Sequence, residues 1–331
     1  MNDTMRAKAK AHANIALVKY WGKRQVKLNL PDVGSISLTL EGLTTETAVH
    51  FDMRLTHDRL ILNGEERPED SKRVSEFLAT IREMAGLSCF ATVTSTNNFP
   101  TGAGLASSAS GFAALALAAT RAAGMNLDDA RLSSLSRQGS ASAARSIFGG
   151  FVEMSRGKKT NGEDCNAYQL ASREHWPLQV VVGITSKARK SVGSTEGMLS
   201  SAKTSPFYKS WVDTHPADLN SMRDAIAEKD FERLAEITES STLKMHSVMM
   251  STRPSLIFWN GVTVELMHVL TSLRKEGIGV CYTMDAGPQV KAICLPEHAA
   301  RVEEAMRSVA GVEDILATGM GMGACHLEET P

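Results

Sequence analysis

Four short stretches hold the residue types that could do chemistry. The first is Lys19-Tyr20-Trp21-Gly22-Lys23-Arg24, where three cations fall within six residues beside two aromatics and a glycine. Such a cluster suits a cationic rim for a phosphorylated acid; solvated lysines at a strand end are the plainer reading. The second is NNFPTGAGLASSASG, Asn97 to Gly111. Its glycines allow close backbone approach and positive φ. A helix starting there would present free N–H groups and its positive dipole end, which together make an anion site. The stretch lacks the Gly-Lys-Ser/Thr ending of a Walker loop. A phosphate cradle here must take its cation from elsewhere, and a simple Gly/Ser cap on a buried Ala-rich helix would look the same. The third is GSASAARSIFGG from Gly139, in which Arg145 stands alone among small residues. Its fork could take a phosphate or carboxylate, or the side chain could snorkel from a packed turn. The fourth is Tyr282-Thr283-Met284-Asp285-Ala286-Gly287-Pro288. A carboxylate after an apolar strand is expensive unless paired or functional, although an Asx-type turn before Gly-Pro would also place it there.

The elements around these stretches follow from periodicity and punctuation. Ser35 to Leu40 alternates polar and apolar, and Thr45 to Phe51 continues as a strand. Asn63-Gly64 marks a hairpin tip between Arg59 and Glu66. Val74, Phe77, Leu78, Ile81 and Met84 have helical spacing, and Gly86 ends that helix. A strand from Phe90 to Ser95 precedes the glycine-rich stretch, and an Ala-rich helix ending near Gly124 follows it. Leu178 to Ile184 reads as a buried strand, Thr185 to Thr204 as an exposed basic loop, and Pro216 to Glu276 as largely helical. Two strands, Gly279 to Met284 and Val290 to Leu295, flank Asp285. A helix from Glu297 and a last strand near Leu316 to Leu327 close the chain. This order predicts an α+β protein of two domains with mixed or antiparallel sheets, divided as 1–187 and 188–331, with the last strand free to return to the first domain.

Bulk numbers narrow the class. The 331 residues are 43% apolar and 22% charged, as in a globular chain with a sizeable core. A formal net charge of −1 argues against binding nucleic acid through phosphates. Five scattered cysteines without CxxC or zinc spacing fit reduced thiols. No apolar leader region or membrane-length apolar run is present, so a cytoplasmic setting is expected. The Gly102-x-Gly104 pair has no third glycine at dinucleotide spacing, which weakens an oxidoreductase reading.

The Pro-x-x-x-Gly-Leu-x-Ser-Ser-Ala pattern from Pro100 resembles the phosphate loop of the GHMP kinase superfamily. With KYWGK, GSASAARSIFGGF and YTMDAGP in the same order, nearly the whole chain resembles the diphosphomevalonate decarboxylase family. The resemblance implies a two-domain GHMP kinase-like fold with the active-site cleft between the domains. It implies ATP and Mg²⁺ as cofactors, with the metal ligands unknown, and commonly a homodimer. The implied reaction phosphorylates the 3-hydroxyl of mevalonate 5-diphosphate. Loss of phosphate and CO₂ then gives isopentenyl diphosphate. Mevalonate 5-phosphate as substrate, or 3-phosphorylation without decarboxylation, are the alternatives. By the same resemblance Asp285 and Lys19 are catalytic, and Lys19 supplies the charge missing from the loop. Tyr20, Lys23, Ser140, Ser142, Arg145 and Ala286 would hold the substrate. Ser95, Asn97, Asn98, Gly102, Gly104, Leu105, Ala106, Ser107, Ser108 and Ser194 would hold ATP. The basic loop with Lys187, Arg189, Lys190 and Ser194 could close over the nucleotide. Gly34 stands where the family commonly has Asn or Asp before Ser-Leu-Ser, in a segment near the substrate.

Overall fold

The structure, a computed structural model, describes residues 5–99, 107–188 and 192–328. In chain order the strands and helices are β1 (Arg6–Val18), β2 (Lys23–Gln25), β3 (Leu30–Pro31), β4 (Ser35–Asp52), β5 (Arg59–Leu62), β6 (Glu65–Glu66), α1 (Pro68–Ala85), β7 (Phe90–Asn97), α2 (Ser107–Ala122), α3 (Asp129–Gly139), β8 (Phe151–Met154), β9 (Ala167–Ala171), β10 (Gln179–Ile184), α4 (Ser194–Thr204), α5 (Tyr208–Glu228), α6 (Phe231–Met250), α7 (Gly261–Lys275), β11 (Val280–Thr283), β12 (Val290–Cys294), α8 (Ala299–Arg307), β13 (Asp314–Gly319) and β14 (Cys325–Leu327).

Eight of the strands form one sheet in the order β14-β1-β4-β7-β5-β6, with β8 on β4 and β9 on β8. Its pairings are antiparallel except β5 with β7. Four more make an antiparallel sheet, β11-β12-β10-β13. Helices α1 and α2 cover one end of the larger sheet, packing Phe77, Leu78, Ile81, Phe112 and Leu115 on Val49, Phe51 and Val93. Helix α2 is buried nearly all round, and its run of alanines lets it lie close to the strands beneath it. A second core, with Leu17, Ile36, Leu38, Val180, Val182 and Ile293, joins the two sheets. Helices α7 and α8 cover the far face of the smaller sheet through Leu266, Leu270, Val302 and Met306.

Several expected elements are present as read. Asn63 and Gly64 both take positive φ at the β5–β6 tip, and Gly86 caps α1 in the left-handed region. Val74, Phe77, Leu78 and Ile81 are the buried face of α1, whereas Met84 is exposed. Four expectations change. The two strands read before Asp52 are one 18-residue strand: β4 pairs with β8 through its first part and with β7 through its last. The loop read through Thr204 ends at Gly193, because Ser194–Thr204 is helix α4. Its Ser, Thr and Lys content looks loop-like, but Met198 and Ser201 are buried. A Cβ at Gly197 would sit 3.1 Å from the Trp21 ring, a tight contact that glycine avoids as α4 passes it. Helix α5 begins at Tyr208 and contains Pro216 rather than starting there. The last expected strand is two: β13 pairs with β10, and β14 pairs with β1. The expected division at residue 187 falls just after β10, a strand paired to β12 and β13, so sheet membership changes before Gln179.

Gly150 makes one of the tightest passages. Its φ is +73°, and a Cβ there would lie 2.3 Å from the Ala171 carbonyl oxygen. Gly150→Ala is expected to lose at least ~2 kcal/mol of stability from strain and overpacking. A lower urea midpoint at unchanged slope would register it; an unchanged midpoint would contradict it.

Candidate active site

The end of β1 is fastened into the second half of the chain. Lys19 donates its backbone N–H to Ser241 Oγ of α6 at 2.9 Å. Thr283 of β11 donates its hydroxyl to the Ala16 carbonyl at 3.3 Å and shares a 2.9 Å bond with Thr242. These ties bring two residues 266 positions apart into contact: Lys19 Nζ lies 2.7 Å from Asp285 Oδ1. A second ammonium, Lys291 Nζ of β12, lies 3.3 Å from Oδ2. Both lysines are 1% exposed, while Asp285 keeps 30% of its side-chain surface open.

Electrostatics follow from this arrangement. Burial pulls the Lys19 ammonium down to about 8, against the opposing pull of Asp285 and with help from Lys291. Burial alone would raise the Asp285 carboxyl, but Lys19 and Lys291 hold it well below the ordinary carboxylate range. Beneath the pair, burial pushes His246 down to about 3, with Lys19 adding to the effect, so its ring is neutral. The ring bonds the backbone at Met284 and Asp285 and accepts from Trp259 Nε1 at 3.3 Å.

Arg145 is 3% exposed and sits in a ring of neutral acceptors. Its Nε donates to Ser37 Oγ at 2.9 Å, Nη1 to Ser35 Oγ at 2.5 Å, and Nη2 to Asn14 Oδ1 at 3.0 Å. Asn14 in turn donates to the Ser142 carbonyl and to Ser146 Oγ, which fixes its amide. Burial draws the guanidinium down to about 10, and Asp285 pulls the other way. It remains cationic at neutral pH.

A cavity of about 600 Å³ opens over these groups. Lys19, Tyr20, Lys23, Ser107, Ser108, Ser140, Ser142, Arg145, Ser194, Asp285 and Ala286 all line it. Hydroxyls form a row, Ser108 to Ser140 at 3.3 Å and Ser140 to Ser142 at 3.3 Å, from the start of α2 toward Arg145. The buried Tyr20 hydroxyl has no protein partner among the described residues, as expected of a group aimed at a ligand. Lys23 reaches Asn29 Oδ1 at 2.5 Å and Thr195 Oγ1 at 2.7 Å, tying α4 to the cleft. Burial brings its ammonium down to about 8, with Arg73 nearby adding to the shift. Cations, hydroxyls and a helix N-terminus facing one cavity can hold polyanions.

Three expected nucleotide contacts are not brought to this cavity. Ser95 bonds Thr47 at 2.9 Å, Asn97 accepts from Thr45 Oγ1 at 2.6 Å, and Asn98 spans Thr44 N and Gly42 O at 2.8 Å each. Those side chains fasten β7 and the residue after it to β4. Gly102, Gly104, Leu105, Ala106, Arg189 and Lys190 lie outside the described residues; Lys187 is exposed. The sequence reading passed over Asn14, Arg73, Thr195 and Lys291. Asn14 and Lys291 carried a signal, each being polar within an apolar strand. Arg73 and Thr195 on helix surfaces carried none. Among the described residues no three His, Cys, Asp or Glu side chains cluster to hold a metal.

The two sheets and their cleft place the chain in the GHMP kinase-like fold class. The model described as "Diphosphomevalonate decarboxylase-like N-terminal domain" matches residues 11–167. "Mevalonate 5-diphosphate decarboxylase C-terminal domain" matches residues 180–323. The human diphosphomevalonate decarboxylase is 37% identical over 310 residues, covering 88% of this chain and 77% of that protein. The Saccharomyces cerevisiae protein of the same name is 36% identical over 315 residues, covering 89% and 79%. The mevalonate diphosphate decarboxylase from Staphylococcus aureus superposes with a TM-score of 0.92 at 36% identity, covering 98% of both chains. A structure described as MDDEF in complex with MVAPP, AMPPCP and magnesium gives 0.92 at 38% identity, covering 98% of this chain and 99% of that one. The chain belongs to the diphosphomevalonate decarboxylase family.

Asn14→Ala tests the Arg145 cradle. It leaves the buried guanidinium short of an acceptor and is expected to lose ~1–3 kcal/mol in urea unfolding. Wild-type stability would show that Ser35 and Ser37 alone suffice.

Proposed function

We propose that this protein catalyses the ATP-dependent decarboxylation of mevalonate 5-diphosphate to isopentenyl diphosphate, releasing ADP, phosphate and CO₂. The observation that carries the proposal is the Lys19–Asp285 pair set in a cationic cleft beside Arg145. Two polyanions must share this cleft, and Lys19, Lys23, Arg73 and Arg145 offset their repulsion. Ser107 and Ser108 at the start of α2 meet the nucleotide phosphates; Tyr20, Lys23, Ser140, Ser142 and Arg145 hold the diphosphate and carboxylate of the other substrate.

Asp285 accepts a hydrogen bond from the 3-hydroxyl and turns its oxygen toward the γ-phosphoryl group. Lying between two ammoniums, it is a weak base. Its main service is therefore orientation, followed by opposing the positive character that builds at C3 as the 3-phosphate departs. A loose phosphoryl-transfer transition state suits a weak base, because the hydroxyl need not be ionised early. Lys19 bridges Asp285 and the transferring group. Magnesium, carried with the nucleotide, neutralises phosphate charge and prefers oxygen ligands. The nucleotide phosphates and the Ser107 and Ser108 hydroxyls beside them would supply oxygen donors for it. A homodimer, from the family resemblance, and a cytoplasmic setting, from the sequence, are proposed with this reading. Among the described residues no helix is long and apolar enough to cross a membrane. Light scattering would test the dimer.

With mevalonate 5-diphosphate and ATP, ADP, phosphate and CO₂ should appear in equal amounts. ADP without CO₂ would overturn decarboxylation, and faster turnover of mevalonate 5-phosphate would reassign the substrate. Asp285→Asn is expected to lower kcat by ~10³-fold or more; a wild-type rate would remove Asp285 from the chemistry. The value for Lys19 also sets a pH dependence. Its ammonium must be charged to meet the phosphoryl group, so kcat/KM should fall as pH rises through about 8. A flat profile to pH 10 would contradict that role.

A further inference from the structure

Asp285 has two cationic partners, one on each carboxylate oxygen. Lys19 lines the cleft and takes Oδ1. Lys291 is not among the cleft-lining residues and reaches Oδ2 from strand β12. Its strand, β12, is paired along both edges: Lys291 stands opposite Val182 of β10 and Thr283 of β11. The side chain is 1% exposed. An ammonium taken from water into a buried position is strongly unfavourable unless it neutralises something there.

We propose that Lys291 is a positioning residue for the reaction, the standing counter-ion of Asp285, which keeps that carboxylate ionised and aimed at the cleft when Lys19 turns to the transferring phosphoryl group. The proposal rests on the reaction proposed above. Lys19 serves two anions in turn. With Lys19 as its sole counter-ion, Asp285 would be stranded as a buried charge at the moment of transfer. A stranded carboxylate either takes a proton or pulls Lys19 back. One carboxylate oxygen for each lysine avoids both outcomes. The other charged and titratable groups facing the pair fit this division. Arg145 acts on both Lys19 and Asp285 but is held in its own ring by Asn14, Ser35 and Ser37. His246 faces them from α6 and is neutral. Lys291 supplies the ammonium at 3.3 Å from Oδ2.

Lys291→Met keeps the length and removes the charge; Lys291→Arg keeps the charge. With ATP, magnesium and mevalonate 5-diphosphate, the methionine variant should lose ~10–100-fold in kcat while both KM values stay within about threefold, as for other supporting groups behind a reacting one. Its acid limb should move to higher pH by about one unit or more, because Asp285 becomes easier to protonate. Its basic limb should also rise, since Lys19 loses a like-charged neighbour. The arginine variant should recover most of kcat and return both limbs toward wild type. A readout independent of turnover is the Lys19 Cε resonance in ¹³C-lysine-labelled protein. Its midpoint should be about 8 in wild type and higher in Lys291→Met. Wild-type kcat and limbs in Lys291→Met would overturn the proposal. So would equal losses in both variants with unmoved limbs and an unmoved resonance, which describe packing alone. If Lys291→Met does not fold, Lys291→Gln carries the same readings. If wild-type protein releases no CO₂, the reaction assignment fails. The Lys19 titration then decides separately whether Lys291 is coupled to the pair.

Discussion

The site depends on one ion pair that crosses from one sheet to the other. Lys19 follows directly on the first strand of the larger sheet, and Asp285 lies in the turn after β11 of the smaller one. Neither charge is easily held where it is. An ammonium at 1% exposure and a carboxylate at 30% lose much of their hydration, and a buried pair of this kind is weak evidence for stability. Its cost is met by the surroundings: Lys291 on the second oxygen and Arg145 within electrostatic reach. What the fold gains is a carboxylate that stays charged.

The same bookkeeping explains why the cleft suits polyanions. Lys19, Lys23, Arg73 and Arg145 line one cavity, with Lys291 just behind it and Asp285 among them. Arg145 is satisfied by Asn14, Ser35 and Ser37, acceptors that leave its charge intact rather than cancelling it. The chain as a whole is nearly neutral, at −1, so this is a local field and not a basic surface. Low-dielectric walls keep such a field unscreened and focus it on the ligand. The row from Ser108 to Ser142 adds donors that carry no charge, which lets two anions be held without over-filling the cleft with cations.

Much of this was legible in the sequence because the chemistry is carried by contiguous stretches. KYWGK, GSASAAR and YTMDAGP each deliver their side chains from one turn or strand end, so order along the chain predicts neighbours in space. Lys291 and Asn14 were harder, because each works through a residue far from it in sequence: Asn14 on Arg145, and Lys291 from the middle of an apolar strand. Ser95, Asn97 and Asn98 stand in the opposite relation to their neighbours. They adjoin the glycine-rich stretch, but their side chains close the β4–β7 ladder. The basic segment before Thr204 misled through composition, since α4 is held by a tertiary contact, Trp21 Nε1 to Ser201 Oγ at 3.0 Å, that no local propensity encodes.

The placement of the pair across two sheets has a consequence for how the site is assembled. Had both residues come from one sheet, their separation would be fixed by a single ladder. Here it is fixed by the bonds from Lys19 N–H to Ser241 and from Thr283 to the Ala16 carbonyl, and by the shared core of Leu17, Val180 and Ile293. Ser241, Thr283, Leu17, Val180 and Ile293 lie outside the cavity lining, but they help determine whether an ammonium meets a carboxylate at 2.7 Å or stands apart from it. A shift of one ångström there would weaken the attraction between the two charges, because at low dielectric that attraction depends steeply on distance. The apolar seam between the sheets is therefore part of the electrostatic machinery: it keeps water out, and by excluding water it makes the distances between a few charges decisive.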